Sequence, residues 1–181
     1  MGLYSNNCDV ANHQFFDLGS GGGRLVIQSY LELPSVCRSV GVELSPTRHE
    51  IAMTRLNNLK SSGDLDRIRQ LASRVLEKSD GNLPSKIDLY QGDLFQLDIS
   101  EATHIYISSL CFTDEMLERI VHKMESEATS LQIVASLRLL PLRKSSAKRI
   151  VRLGDKPWQE FVEMTWNKGD GCPVYFYSVK R

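Results

Sequence analysis

The residues best suited to chemistry lie at three places in the chain. Asp17-Leu18-Gly19-Ser20-Gly21-Gly22-Gly23-Arg24 follows a short apolar run and opens a helical pattern. Glycines in such a loop adopt positive φ and let a ligand approach the main chain. The helix behind them adds exposed N–H groups and a partial positive charge. A dinucleotide loop would need its third glycine at position 24, which is Arg24. The pattern is instead Asp-x-Gly-x-Gly-x-Gly. A carboxylate two positions before the first glycine suits an ammonium and a sulfonium better than a pyrophosphate. Glu43 stands at the end of the next apolar run, where a carboxylate can accept both hydroxyls of a ribose. Gly92-Asp93-Leu94-Phe95 follows the third, where Asp93 can accept from an adenine amine while Leu94 or Phe95 packs on the ring. Either acid alone reads as a solvated strand end. Together, at three successive strand ends, they describe a ligand with an amino-acid end, a ribose and an adenine.

The elements that must position these groups follow from apolar periodicity. Gln14–Leu18 reads as a first buried strand, and Leu25, Val26, Tyr30 and Leu33 as one face of a helix that Pro34 ends. Cys37–Glu43 is a second strand. Ser45-Pro46 starts a helix, with serine as cap and proline in the first turn. Its stripe is Ala52, Leu56 and Leu59, and Ser61–Asp64 interrupts it. Ile68, Leu71, Ala72, Val75 and Leu76 form the next amphipathic stripe. Lys86–Gln91 and His104–Ser108 are strands three and four. Thr113 caps a helix with a core face of Leu117, Ile120, Val121 and Met124, and Leu131–Leu137 is strand five. Phe161–Trp166 and Pro173–Val179 read as a hairpin joined by Asn167–Gly171. The alternation predicts an α/β fold with a doubly wound, mostly parallel sheet of seven strands that ends in an antiparallel hairpin. Residues 1–14 read as a short extension and 15–181 as one domain.

Composition is compatible with that fold. The 181 residues are 41% hydrophobic and 24% charged with zero net charge, so no whole-molecule field favours nucleic acid or an anionic membrane. No apolar run approaches the ~20 residues of a membrane span, and the start of the chain lacks the pattern of a signal peptide. Cys8, Cys37, Cys111 and Cys172 are scattered, as are the histidines, so the sequence predicts reduced thiols, no metal site and an intracellular protein of the cytoplasm or nucleus.

The ligand that the three segments describe is S-adenosylmethionine. Phe16–Val26, Gly41-Val42-Glu43 with Arg48, His49 and Ala52, Ile105–Phe112, and Met164-Thr165-Trp166 with Gly171–Tyr177 together resemble the non-SET histone-lysine methyltransferases of the disruptor-of-telomeric-silencing type. Those enzymes have the class I, Rossmann-like methyltransferase fold. The resemblance runs from about Phe15 to Lys180. It implies methyl transfer to a lysine of a histone or another protein. It assigns Asp17, Gly19, Ser20, Gly21, Gly23, Glu43, Asp93, Leu94 and Ser108 to the cofactor, and Ser109, Phe112, Trp166 and Phe176 to the acceptor. Trp166 and Phe176 match channel aromatics, whose faces attract a cationic amine. Where the family has two asparagines after strand four, this chain has Ser108 and Ser109. The family's segment that folds over the cofactor corresponds to about fourteen residues here, which predicts a short or absent lid.

Two other readings compete. The basic residues Arg138, Arg143, Lys144, Lys148, Arg149, Arg152 and Lys156, within 138–156, could contact phosphates. That reading is a methyltransferase acting on RNA or a small molecule; the same stretch could equally meet an acidic protein surface such as a nucleosome patch, or be a solvated segment. The short N-terminus instead suggests a cofactor-binding protein without turnover.

Overall fold

The computed structural model describes residues 13–75, 86–142, 148–152, 158–164 and 167–180. In chain order the elements are β1 (His13–Leu18), α1 (Arg24–Glu32), β2 (Val36–Glu43), α2 (Pro46–Ser61), α3 (Asp64–Val75), β3 (Lys86–Gln91), β4 (His104–Ile107), α4 (Asp114–Glu127), β5 (Ile133–Ser136), β6 (Ile150–Arg152), β7 (Trp158–Met164) and β8 (Asn167–Val179). The sheet runs β3-β2-β1-β4-β5-β8-β6, with β7 also paired to β8. The first five strands are parallel to one another, and β8 is antiparallel to β5, β6 and β7. β6 takes the Tyr177–Val179 stretch of β8, and β7 takes stretches of the same strand nearer its start. The eight strands therefore occupy the seven positions expected.

Sequence periodicity explains which faces are covered. Phe16, Leu18, Val40, Val42, Ile105, Ile107 and Val134 point to one side, where they pack with Tyr177 against Leu117, Ile120, Val121 and Met124 of α4. On the other side Ile27, Tyr30 and Leu31 of α1 meet Leu56 of α2 and, from β3, Ile87 and Leu89. Parallel strands need both faces buried in this way. Ser45 caps α2 by accepting the Arg48 N–H at 3.4 Å with Pro46 in the first turn, and Thr113 caps α4 by accepting the Met116 N–H at 3.2 Å.

Three expectations change. Leu33 is not on the apolar face of α1. The residue before a proline avoids the helical region, so Leu33 ends the helix in an extended conformation and is half exposed. Leu71 is also exposed, and the packed residues of α3 are Leu65 and Ile68. Asn167–Gly171 is not the hairpin connection: these residues begin β8, and the innermost pair of the hairpin is Met164 with Asn167. Glycine is used there inside a strand. A Cβ on Gly171 would lie 3.3 Å from that of Phe161 on the facing strand. Among the described residues no helix is long and apolar enough to cross a membrane, and no cluster of side chains could hold a metal.

Candidate active site

The glycine loop, the end of β2 and the turn after β3 meet at the C-terminal edge of the sheet, the place where open α/β sheets bind ligands. The loop is anchored to β2 by its own main chain. The N–H groups of Gly19 and Ser20 both donate to the Val42 carbonyl, at 3.0 and 2.9 Å, and that of Gly23 closes a turn onto Ser20 at 2.9 Å. Gly19, Gly21 and Gly23 all have positive φ. At Gly23 the demand is steric as well: a Cβ there would come within 2.8 Å of the Ala52 Cβ, so glycine lets the start of α1 lie against α2.

Glu43 is the hub. Its carboxylate is 4% exposed, yet each oxygen has a partner. Oε2 accepts the Gly21 N–H at 2.8 Å, and Oε1 accepts the Ser45 N–H at 2.8 Å and lies 3.3 Å from Nε of Arg48. The acid at the end of β2 thus fixes the middle of the glycine loop and the start of α2 together. The Glu43 carbonyl also accepts the Gly92 N–H at 3.0 Å, which ties in the turn after β3.

Asp17 differs from Glu43. It is 2% exposed, and its Oδ1 is buried with no hydrogen-bond partner. Burial, and secondarily the charge of Glu43, pushes its carboxyl up to about 8. An unpartnered buried carboxyl is costly to keep. A cationic group would relieve that cost, so the residues present fit a ligand that carries an ammonium.

Asp93 is exposed and caps the 3₁₀ turn Leu94–Gln96 by accepting the Phe95 N–H at 2.9 Å. Leu94 is buried in the main core, so its side chain lies under the turn instead of on an open face. Phe95 is only partly buried. Ser108 is half-buried and opens the 3₁₀ turn Ser109–Cys111 without a side-chain cap.

On the acceptor side the candidate residues differ in burial. Ser109 is fully buried, its hydroxyl lies 2.9 Å from that of Ser136, and it accepts the Arg138 N–H at 2.9 Å. It ties the ends of β4 and β5 together and faces no open site. Phe112 is partly buried, and its ring would be 3.4 Å from a Cβ on Gly19. Arg138 holds that turn through the Phe112 carbonyl and pairs with Asp114 at 2.7 Å. Phe176 packs with Tyr106, Ala135, Leu137, Cys172 and Val174. Trp166 lies outside the described residues.

Tyr106 was not singled out by the sequence. It pairs with Asp17 across β1 and β4, then with Ala135, which pairs with Phe176. Burial, followed by the charge of Asp17, pushes its hydroxyl well up. Strand alternation put Tyr106 opposite Ile105 and Ile107 in face, but only the strand order reveals that its neighbour is Asp17. Arg48, the ion-pair partner of Glu43, was quoted only as part of a motif. Within the basic stretch, Arg149 is engaged by Glu125 and by the last carbonyls of α4. Lys148 and Arg152 are exposed, and Arg143, Lys144 and Lys156 lie outside the described residues.

Comparison with solved structures agrees on the fold. An RNA methyltransferase from Salinibacter ruber in complex with S-adenosyl-L-homocysteine superposes over 94% of this chain and 84% of its own, with a TM-score of 0.52 and 20% identity. The tRNA methyltransferase TrmK of Bacillus subtilis gives a TM-score of 0.59 over 94% of this chain and 62% of its own at 16% identity. Among curated proteins, the histone-lysine N-methyltransferase, H3 lysine-79 specific, of Aspergillus fumigatus is 27% identical over 136 residues, and that of Emericella nidulans 26% over 137. These alignments cover 72% and 73% of this chain and 24% of each relative, so the chain spans about a quarter of their length. The model of the family described as histone methylation protein DOT1 matches residues 4–156. The chain belongs to the DOT1 family of histone methylation proteins.

Proposed function

We propose that this chain binds S-adenosylmethionine and transfers its methyl group to a lysine of a histone, acting in the nucleus on a protein substrate. The observation that carries the reading is Asp17: a buried carboxyl with one oxygen lacking a hydrogen-bond partner, beside a glycine loop wired to a second buried acid, in a chain of the DOT1 family. The relatives named as specific for lysine-79 of histone H3 supply the acceptor class.

In this reading Asp17 would hold the ammonium end of the cofactor. Gly19, Ser20, Gly21 and Gly23 would form its cradle, and Ser108 would border it. Glu43 would take the ribose and Asp93 the adenine amine, with Leu94 forming the floor of that turn. When bound, the cofactor supplies a methyl group already activated by its sulfonium, so the protein's task is alignment and exclusion of water. Phe112 and Phe176, with Trp166, would line the acceptor side, where aromatic faces attract an amine and its methylated products. A lysine must lose its proton before it attacks. His104 is not suited to accept it: it lies at the N-terminal end of β4, away from the loop, and burial beside His13 pulls its imidazole down to about 4.

The test is transfer of label from methyl-labelled S-adenosylmethionine to nucleosomes, free histones and total RNA. Label in histone H3 that depends on Asp17 supports the reading. Label in RNA alone would overturn the acceptor.

A further inference from the structure

Two cations of helix α4, Lys123 and Arg119, both reach Phe95 in the turn after β3. Lys123 is 6% exposed, although lysine is rarely buried. Its Nζ donates to the Phe95 carbonyl at 3.3 Å and pairs with Glu127 at 2.5 Å. One turn earlier, the Arg119 guanidinium stands over the Phe95 ring, 4.0 Å from its centroid. The two side chains, at i and i+4, grip one residue by its carbonyl and by its ring. With His122, Ser126 and Glu127 they line an open cleft of about 290 Å³ with Phe95 at one wall.

Phe95 belongs to the turn that Asp93 caps, two positions from the acid assigned above to the adenine amine. We infer that Lys123 and Arg119 are positioning residues that hold the 93–96 turn in the geometry that admits the adenine. The inference rests on the S-adenosylmethionine reading.

The energetics favour a functional purpose over a stabilising one. An ion pair with one hydrated partner contributes little to stability. Glu127 is 43% exposed and stays hydrated when its partner is removed. Lys123→Met therefore keeps the fold and sets the turn loose, since the Phe95 carbonyl loses its charged donor. Arg119→Ala removes the hold on the ring.

The experiment compares wild type, Lys123→Met, Lys123→Arg and Arg119→Ala by calorimetry with S-adenosylhomocysteine and with methylthioadenosine, which keeps the adenosine and lacks the amino-acid end. Hydrogen exchange at residues 94–97 is followed in the absence of ligand. The expected result is about a tenfold loss of affinity for both ligands in Lys123→Met, smaller in Lys123→Arg and Arg119→Ala. Exchange at 94–97 should be faster, with a melting temperature close to that of the wild type. Wild-type affinity and wild-type exchange in a folded Lys123→Met would overturn the inference alone. Loss confined to S-adenosylhomocysteine would also overturn it, because the defect would then lie at the amino-acid end. Failure of the wild type to bind either ligand would overturn the cofactor reading and this inference with it.

Discussion

Asp17 and Tyr106 face each other across the β1–β4 ladder, on the side of the sheet that also carries Ala135 and Phe176. This row links the buried acid under the glycine loop to the aromatic residue assigned to the acceptor. The row crosses four adjacent strands, β1, β4, β5 and β8.

The raised carboxyl of Asp17 makes stability and binding depend on pH in a defined direction. Its folded value of about 8 exceeds the ordinary 3.8, so the folded state holds its proton more tightly. That contribution is fully present below about pH 4 and is lost as pH rises through 8. Asp17→Asn should therefore melt at a higher temperature than wild type at pH 8, with the gain shrinking toward pH 4. Binding a cationic ligand should release a proton below pH 8, visible as a buffer-dependent heat that Asp17→Asn lacks.

Ser109 should prove a structural residue. Ser109→Ala removes the 2.9 Å partner of both the Ser136 hydroxyl and the Arg138 N–H, and leaves them only their 3.4 Å contact with each other. The expected cost is about 1–3 kcal/mol in denaturant unfolding. A stable Ser109→Ala with lost acceptor turnover would restore the acceptor assignment.

Gly23→Ala should destabilise by about 1–3 kcal/mol through both contact and backbone strain. Combining it with Ala52→Gly removes the 2.8 Å contact and leaves the positive φ. Ala52→Gly itself costs about 1 kcal/mol inside α2, so melts should show the double variant to be more stable than the sum of the two single losses predicts. Complete rescue would mean that backbone conformation contributes nothing.

Arg48 holds one oxygen of Glu43 at the surface, with a side chain that is 64% exposed. Exposed pairs contribute little to stability, so Arg48→Ala should melt within about 1 kcal/mol of wild type. Because it leaves Oε1 with fewer donors, it should change affinity for a ribose-bearing ligand more than it changes the melting temperature. Calorimetry alongside a melt measures both.

The sequence was most informative where chemistry and backbone pattern coincide. Asp17, Glu43 and Asp93 each lie at or just past the end of a strand, and strand ends can be read from apolar runs. The caps Ser45 and Thr113 were readable for the same reason, as local hydrogen bonds between near neighbours. What could not be read depends on long-range pairing. That Glu43 accepts the Gly21 N–H, that Tyr106 neighbours Asp17, and that Ser109 is sealed against Ser136 all follow from strand order. The start of β8 at Asn167 was hidden because Gly169 and Gly171 suggest a turn, whereas they sit at a register shift inside the ladder, between the pairs Val162–Cys172 and Met164–Asn167.

The most direct test of the central claim is calorimetric titration of S-adenosylmethionine into wild type and Glu43→Ala. Wild type should bind saturably, one to one, and Glu43→Ala should lose at least about tenfold in affinity, because it removes both the ribose acceptor and the anchor of Gly21. Equal affinity in the two proteins would contradict the assignment of Glu43, and no binding to wild type would contradict the cofactor reading itself.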